Sequence, residues 1–186
     1  KQYTYMPPSY LSVIPLLLPV IGAAHARLAV NVQRSPLDAA CRLRGGATEH
    51  TYAMLKPDVS SNRRAEAQIK KLIDEAGLKI VREERCRLSK VECEAFYAEH
   101  KERPFFPSLV DFMTSGEVVK FELEGDDAVR RWREILGPTN SEVARKEAAG
   151  SVRARYGKDM QRNAAHGSDS AASAARELAL MFSADP

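Results

Sequence analysis

The sequence predicts an α/β fold: a ferredoxin-like sandwich, one antiparallel sheet with helices over one face. Three observations predict it. Apolar residues alternate between strand spacing and helix spacing from residue 51 to residue 182. The elements come in the order βαβ, helical pair, βα, long loop, short strand, α. No internal repeat or low-complexity tract interrupts that order.

Thr51 to Leu55 is a short apolar strand, stopped by Lys56-Pro57. Ala65, Ile69, Leu72, Ile73 and Ala76 follow at helical spacing, and Gly77 ends that helix. Leu78 to Leu88 carries Leu78, Ile80, Cys86 and Leu88 on one parity and reads as a long, half-exposed strand. Lys90 to His100 and Leu109 to Thr114 form a helical pair around the turn Arg103-Pro104. Glu117 to Leu123 sets Val119, Phe121 and Leu123 against Lys120 and Glu122, a strand with one polar face. Gly125-Asp126-Asp127 opens a helix through Trp132 to Leu136, its acids suiting the positive end of the helix dipole. Ser170 to Phe182 is the final amphipathic helix, with Ala171, Ala174, Ala175, Leu178, Met181 and Phe182 on one stripe.

The chain has 186 residues, 44% hydrophobic and 28% charged, a composition that excludes disorder, collagen and a polytopic membrane protein. Its net charge of +3 is not evenly spread. Residues 1–50 hold five basic and two acidic side chains, which leaves 23 of each in the rest. A neutral body has no electrostatic footprint for nucleic acid. Cys41, Cys86 and Cys93 are odd in number and lack CxxC spacing, against both a disulfide framework and a zinc site.

Residues 1–46 are expected to be a targeting segment outside the fold, and residues 47–186 the folded domain. Leu11 to Ala24 is an apolar run broken by Pro15 and Pro19, too short for a stable membrane span, which needs ~20 apolar residues. Ala24-His25-Ala26 after it resembles a signal-peptidase site, with Met6 as a possible initiator. Arg27, Arg34, Arg42 and Arg44 against a lone Asp38 resemble a transit peptide. A signal followed by a transit-like stretch suits a plastid bounded by extra membranes. An ordinary mitochondrial presequence or a misread start accounts for the same composition.

Chemistry concentrates in two groups of residues. In Asn163-Ala-Ala-His166-Gly167-Ser168-Asp169-Ser170 a histidine stands beside a glycine and a cluster of short polar residues just before a helix. A lone histidine is ordinarily structural, but this one can be approached closely, and the Ser/Asp cluster can fix its tautomer and cap the helix. His166 is therefore a candidate nucleophile. Glu177 lies eleven residues on, about three helical turns, and an inward-turned carboxylate there could return to it. The second group comprises Lys56, Arg133 and Arg153, each by spacing alone an ordinary solvated charge. Together with Thr139 and Asn163 they are the donors a phosphate chain requires. Neither GxxxxGK[ST] nor GxGxxG is present, so a P-loop or dinucleotide-fold site is excluded.

Five motifs in order carry a resemblance: Tyr52-Ala-Met-Leu-Lys56-Pro-Asp58, Arg103-Pro-Phe105-Phe-Pro107, Met113-Thr-Ser-Gly116, Leu136-Gly-Pro-Thr139-Asn140 and His166-Gly-Ser-Asp-Ser170. Over nearly all of residues 51–182 the chain resembles the nucleoside diphosphate kinases. The resemblance implies that His166 is phosphorylated, with Ser168 and Glu177 orienting it. It also implies that Lys56, Arg133, Thr139, Arg153 and Asn163 bind phosphates and ribose, that Phe105 stacks on the base with Leu109 beside it, and that Tyr97 supports the site. The implied substrates are an NTP donor and an NDP acceptor, with Mg²⁺ bound through the phosphates and no protein metal site. A homo-oligomer, dimer or hexamer, is expected.

Three departures bear on assembly. The Thr139–Arg153 loop is roughly three residues longer than in the common form, a small entropic change, and with Ser151-Val152-Arg153 it resembles the divergent branch containing the mitochondrial type 6 kinases. Ala154-Arg155 replaces a usual glycine and an acid or small residue. Val59-Ser60-Ser61-Asn62 stands where the family commonly has glycines, and the usual C-terminal extension is expected to be absent. Two other functions share these residues: a catalytically silent binding or assembly module, and a histidine phosphocarrier that modifies proteins.

Overall fold

The structure, a computed structural model, describes residues 48–182. The targeting segment expected over residues 1–46 lies outside the described residues. Central strand β1 (Glu49–Leu55) pairs along its whole length with β3 (Val118–Gly125) and on its other side with β4 (Ala165–Gly167), where Met54 opposes His166. Edge strand β2 (Lys79–Cys86) pairs with β3, giving the order β2-β3-β1-β4 with every pair antiparallel. This is the predicted class, and it puts the histidine on a short strand against the most buried strand of the sheet.

Alternation along the strands builds two cores rather than one. Ala53, Leu55, Val119, Phe121 and Leu123 face α2 (Arg63–Glu75) and α5 (Ala128–Leu136), against Ile69, Ile73, Trp132 and Leu136. Tyr52, Met54 and Val118 face the opposite side, against Phe96 of α3 (Lys90–Phe96), Val110 and Met113 of α4 (Phe106–Thr114) and Met181 of α8 (Ala171–Met181). Each fully buried aliphatic side chain in these clusters is worth about 1.5–3 kcal/mol. Helices therefore cover both faces, which corrects the single covered face expected. Lys120 marks that second face as polar by residue type alone. It is buried, its stem crossing the second core while Nζ donates to the Met181 carbonyl at 2.6 Å and meets Glu84 Oε2 at 2.9 Å.

Local signals set most boundaries. A one-turn α1 (Pro57–Ser60) follows Lys56, and α2 starts where the Asn62 side chain accepts from Ala65 N–H. It ends before Gly77, whose φ of +72° suits a residue without Cβ. The Ser89–Glu92 capping box opens α3, which stops at Tyr97; Ala98–His100 continue as a 3₁₀ turn, so the expected helix to His100 is shorter. Helix α4 starts at Phe106 rather than Leu109, with Pro107 in its first turn.

The acids expected in the first turn of α5 lie just outside it. Asp127 is left-handed at φ 52° and gives no side-chain cap; Glu49 Oε2 on β1 accepts the Val129 N–H instead, at 3.1 Å. The stretch expected as a long loop contains two short helices, α6 (Ser141–Glu147) and α7 (Val152–Tyr156), whose caps Asn140 and Ser151 each accept a backbone N–H. In α8 the stripe is rotated from expectation. Ala171 and Ala175 are exposed, and Glu177 is buried with Ala174 and Met181. No helix among the described residues is long and apolar enough to cross a membrane.

Candidate active site

His166 sits on β4, and bonds to its own carbonyl and to the backbone just after it hold it in place. The Trp132 indole N–H donates to its carbonyl at 3.1 Å, and Ser168 N–H donates to the Tyr52 carbonyl of β1 at 3.2 Å. Tyr52, Phe96 and Tyr97 surround the imidazole, with ring centroids 5.0 to 6.4 Å away. The ring stays 22% exposed toward a cleft. Its Nε2 lies 2.9 Å from Glu177 Oε2, and the same oxygen accepts from Ser168 Oγ at 2.8 Å. A carboxylate only accepts, so Nε2 carries the proton and Nδ1 keeps its lone pair. Burial lowers the imidazole pKa below its ordinary value; hydrogen bonding to Glu177 opposes this, and the Lys56 and Arg153 charges add to it. The ring is therefore neutral near pH 7, the state in which its nitrogen is nucleophilic.

The cleft beside it encloses about 500 Å³. All the sequence-predicted site residues line it except Ser168, which is fully buried behind Glu177. Lys56 and Arg153 are buried cations. Lys56 Nζ donates to Asn163 Oδ1 at 2.7 Å and the Gln161 carbonyl at 3.2 Å; burial, with repulsion from Arg153, brings it down to about 8. Arg153 donates to the Gly137 and Ala165 carbonyls at 2.9 and 3.2 Å, and burial, with Arg133, brings it down to about 10. Its Nε has no partner, an unmet buried donor beside the cleft. Arg133 and Thr139 are exposed at the rim. Asn163 spends its groups internally, accepting from Lys56 and donating to the Thr139 carbonyl at 3.1 Å. At the other end Phe105 is 48% exposed above buried Leu109, and the buried Tyr97 hydroxyl, also without a partner, is pushed well up by burial.

A family model described as nucleoside diphosphate kinase matches residues 49–186. The chain is 51% identical over 136 residues to a nucleoside diphosphate kinase of Acidiphilium cryptum, covering 73% of this chain and 94% of that one. The chain belongs to the nucleoside diphosphate kinase family. The solved nucleoside diphosphate kinase of Aquifex aeolicus superposes with a TM-score of 0.69 at 44% identity, over 74% of this chain and 96% of that one. That of Halobacterium salinarum, solved with CDP, superposes at 0.68 and 35% identity, over 75% and 90%.

Further groups hold the backbone around His166, in roles that the motifs do not assign. Asp58 Oδ2 accepts the Ala164 N–H at 3.1 Å and the Lys56 N–H donates to the Ala164 carbonyl at 2.9 Å. Between them they hold Ala164 at φ 72°, a left-handed geometry costing on the order of 1–3 kcal/mol, two residues before His166. Periodicity carries no sign of such a constraint. The Ser/Asp cluster divides its work: Ser168 orients Glu177, whereas Ser170 caps α8 by accepting from Ser173 N–H at 3.1 Å. Gly167 is required by packing, since a Cβ there would lie 2.5 Å from Trp132 Cδ1 and Nε1. Gly167→Ala in this kinase should lose roughly 1–3 kcal/mol of stability in chemical denaturation and lower activity with it, because the displaced indole holds the His166 carbonyl. Unchanged stability and rate would show that Trp132 can yield.

Proposed function

We propose that the protein moves the γ-phosphoryl group of an NTP to an NDP by a ping-pong reaction through His166. One observation carries the reading: the Ser168–Glu177–His166 chain fixes a neutral imidazole with Nδ1 free, at a cleft that also holds Lys56, Arg153 and Arg133. In the first half-reaction the Nδ1 lone pair attacks the γ-phosphorus, the bond to the β–γ bridging oxygen breaks, and NDP leaves. The Nε2 proton stays on Glu177's hydrogen bond and stabilises the phosphoimidazole. A β-phosphate oxygen of a second NDP then attacks phosphorus and the N–P bond breaks. The cations meet charge on the transferring group, the main demand of this chemistry. Phe105 offers a π-face common to all bases, so a broad base range follows.

Among the described residues no three His, Cys, Asp or Glu side chains converge as a metal site. Mg²⁺ is expected to arrive on the nucleotide phosphates, as the family resemblance implies, and would there neutralise part of their charge. Asp169, Glu99 and Glu177 are the carboxylates that line the cleft. Homo-oligomerisation and an organellar address remain parts of the proposal, supported by the family and by the composition of residues 1–46.

Initial rates with ATP and UDP varied together test the mechanism. Parallel double-reciprocal lines with UTP formed are expected. Intersecting lines would require both nucleotides bound at once, and no UTP would favour the silent binding module.

A further inference from the structure

Gln161 is bonded toward both ends of the cleft. Its backbone carbonyl accepts from Lys56 Nζ at 3.2 Å, the ammonium that also holds Asn163. Its side chain meets Ser108, 53 residues away, with both ends of the amide: Nε2 donates to the Ser108 carbonyl at 2.9 Å, and Oε1 accepts from Ser108 Oγ at 3.1 Å. The Ser108 hydroxyl also faces the Phe105 carbonyl at 2.9 Å; having one proton, it serves one acceptor at a time. Asp159 Oδ1 accepts from the backbone N–H of Gln161 at 2.8 Å and of Arg162 at 2.6 Å, so the turn presenting Gln161 is itself fixed. One residue thus ties the lysine of the cationic end to the helical turn that follows Phe105.

We propose that the Gln161–Ser108 clasp sets the spacing between the cationic end of the cleft and the Phe105 ring, making Gln161 a positioning residue for the nucleotide's base end. This rests on the nucleotide reading above. Met160, next to Gln161 and 59% exposed, lines the same cleft. The clasp is not the only tie between this turn and α4. Arg162 lies over the Phe112 ring at 5.6 Å, about two helical turns beyond Phe105, and keeps the segment docked when the clasp is cut.

Equilibrium binding by calorimetry separates spacing from simple packing without requiring turnover. Gln161→Met keeps length and removes both side-chain hydrogen bonds. ADP should bind about 5- to 20-fold more weakly, the range expected for two lost hydrogen bonds. Inorganic tripolyphosphate, which has no base, should bind with unchanged affinity. Ser108→Ala, which keeps the carbonyl acceptor, should weaken ADP by about twofold to fivefold. In turnover the Gln161→Met loss should fall on KM more than on kcat. Equal weakening of ADP and tripolyphosphate, or no change in either, overturns the clasp. ADP binding that shows this contrast in a protein that forms no UTP leaves the clasp standing and overturns the phosphotransfer reading instead; an unmutated protein that does not bind ADP overturns both.

Discussion

Replacing His166 with alanine should reduce ATP-to-UDP transfer by at least about 10⁴-fold and abolish acid-labile, alkali-stable labelling by ATP. The size follows from the role. His166 would form and break the bond to phosphorus in each half-reaction, and neither Tyr97 nor Glu177 beside it is a substitute. Tyr97 has a hydroxyl held protonated by burial, and Glu177 points its carboxylate at the imidazole and at Ser168. The variant should still fold, since Trp132 and Tyr52 hold this strand through backbone bonds that alanine keeps. Residual transfer with label retained in a folded His166→Ala protein would place the nucleophile elsewhere.

Arg153→Ala should lower kcat by about 10²–10³-fold while changing KM much less. Arg153 is rigid before any ligand arrives, its two terminal nitrogens anchored on the Gly137 and Ala165 carbonyls, and the latter belongs to the residue just before His166. A preorganised charge of this kind needs no rearrangement as negative charge spreads over the transferring oxygens. Arg133, exposed at the rim, should affect binding in greater proportion. A related pH effect belongs to Lys56. Its ammonium is lost as pH rises through about 8 in the free protein, so kcat/KM should fall on the alkaline side there. Bound phosphates favour the charged form, so the corresponding limb in kcat should lie at higher pH. A KM rise with unchanged kcat in Arg153→Ala would make the arginine a uniform phosphate contact.

The sequence carried the site further than it carried the packing around it. His166 and Lys56 stand in short motifs that are legible without coordinates, whereas Arg153 lies outside those motifs and is singled out only by the family resemblance. Glu177, eleven residues after His166 and on the second turn of α8, was legible as a carboxylate that could turn back to the histidine, although the buried stripe of that helix is rotated from the one its apolar spacing predicts. The second covered face of the sheet was not legible, because Lys120 marks a polar face by type yet buries its stem and finds partners in Met181 and Glu84. Helices α6 and α7 were hidden by their brevity: seven and five residues give too few turns for a period, and their caps read as loop residues. The contacts of Asp58 with Ala164 and of Gln161 with Ser108 span 106 and 53 residues, and no local pattern encodes them.

The position of the phosphate on the imidazole tests the account most directly. Phosphorus NMR of protein treated with ATP in the absence of acceptor, with nitrogen-15-labelled histidine, distinguishes the two ring nitrogens. Because Glu177 holds Nε2–H, the phosphate should be bonded to Nδ1 of His166 and should disappear stoichiometrically when UDP is added. Phosphate on Nε2, or a stable phosphohistidine that UDP does not discharge, would contradict it.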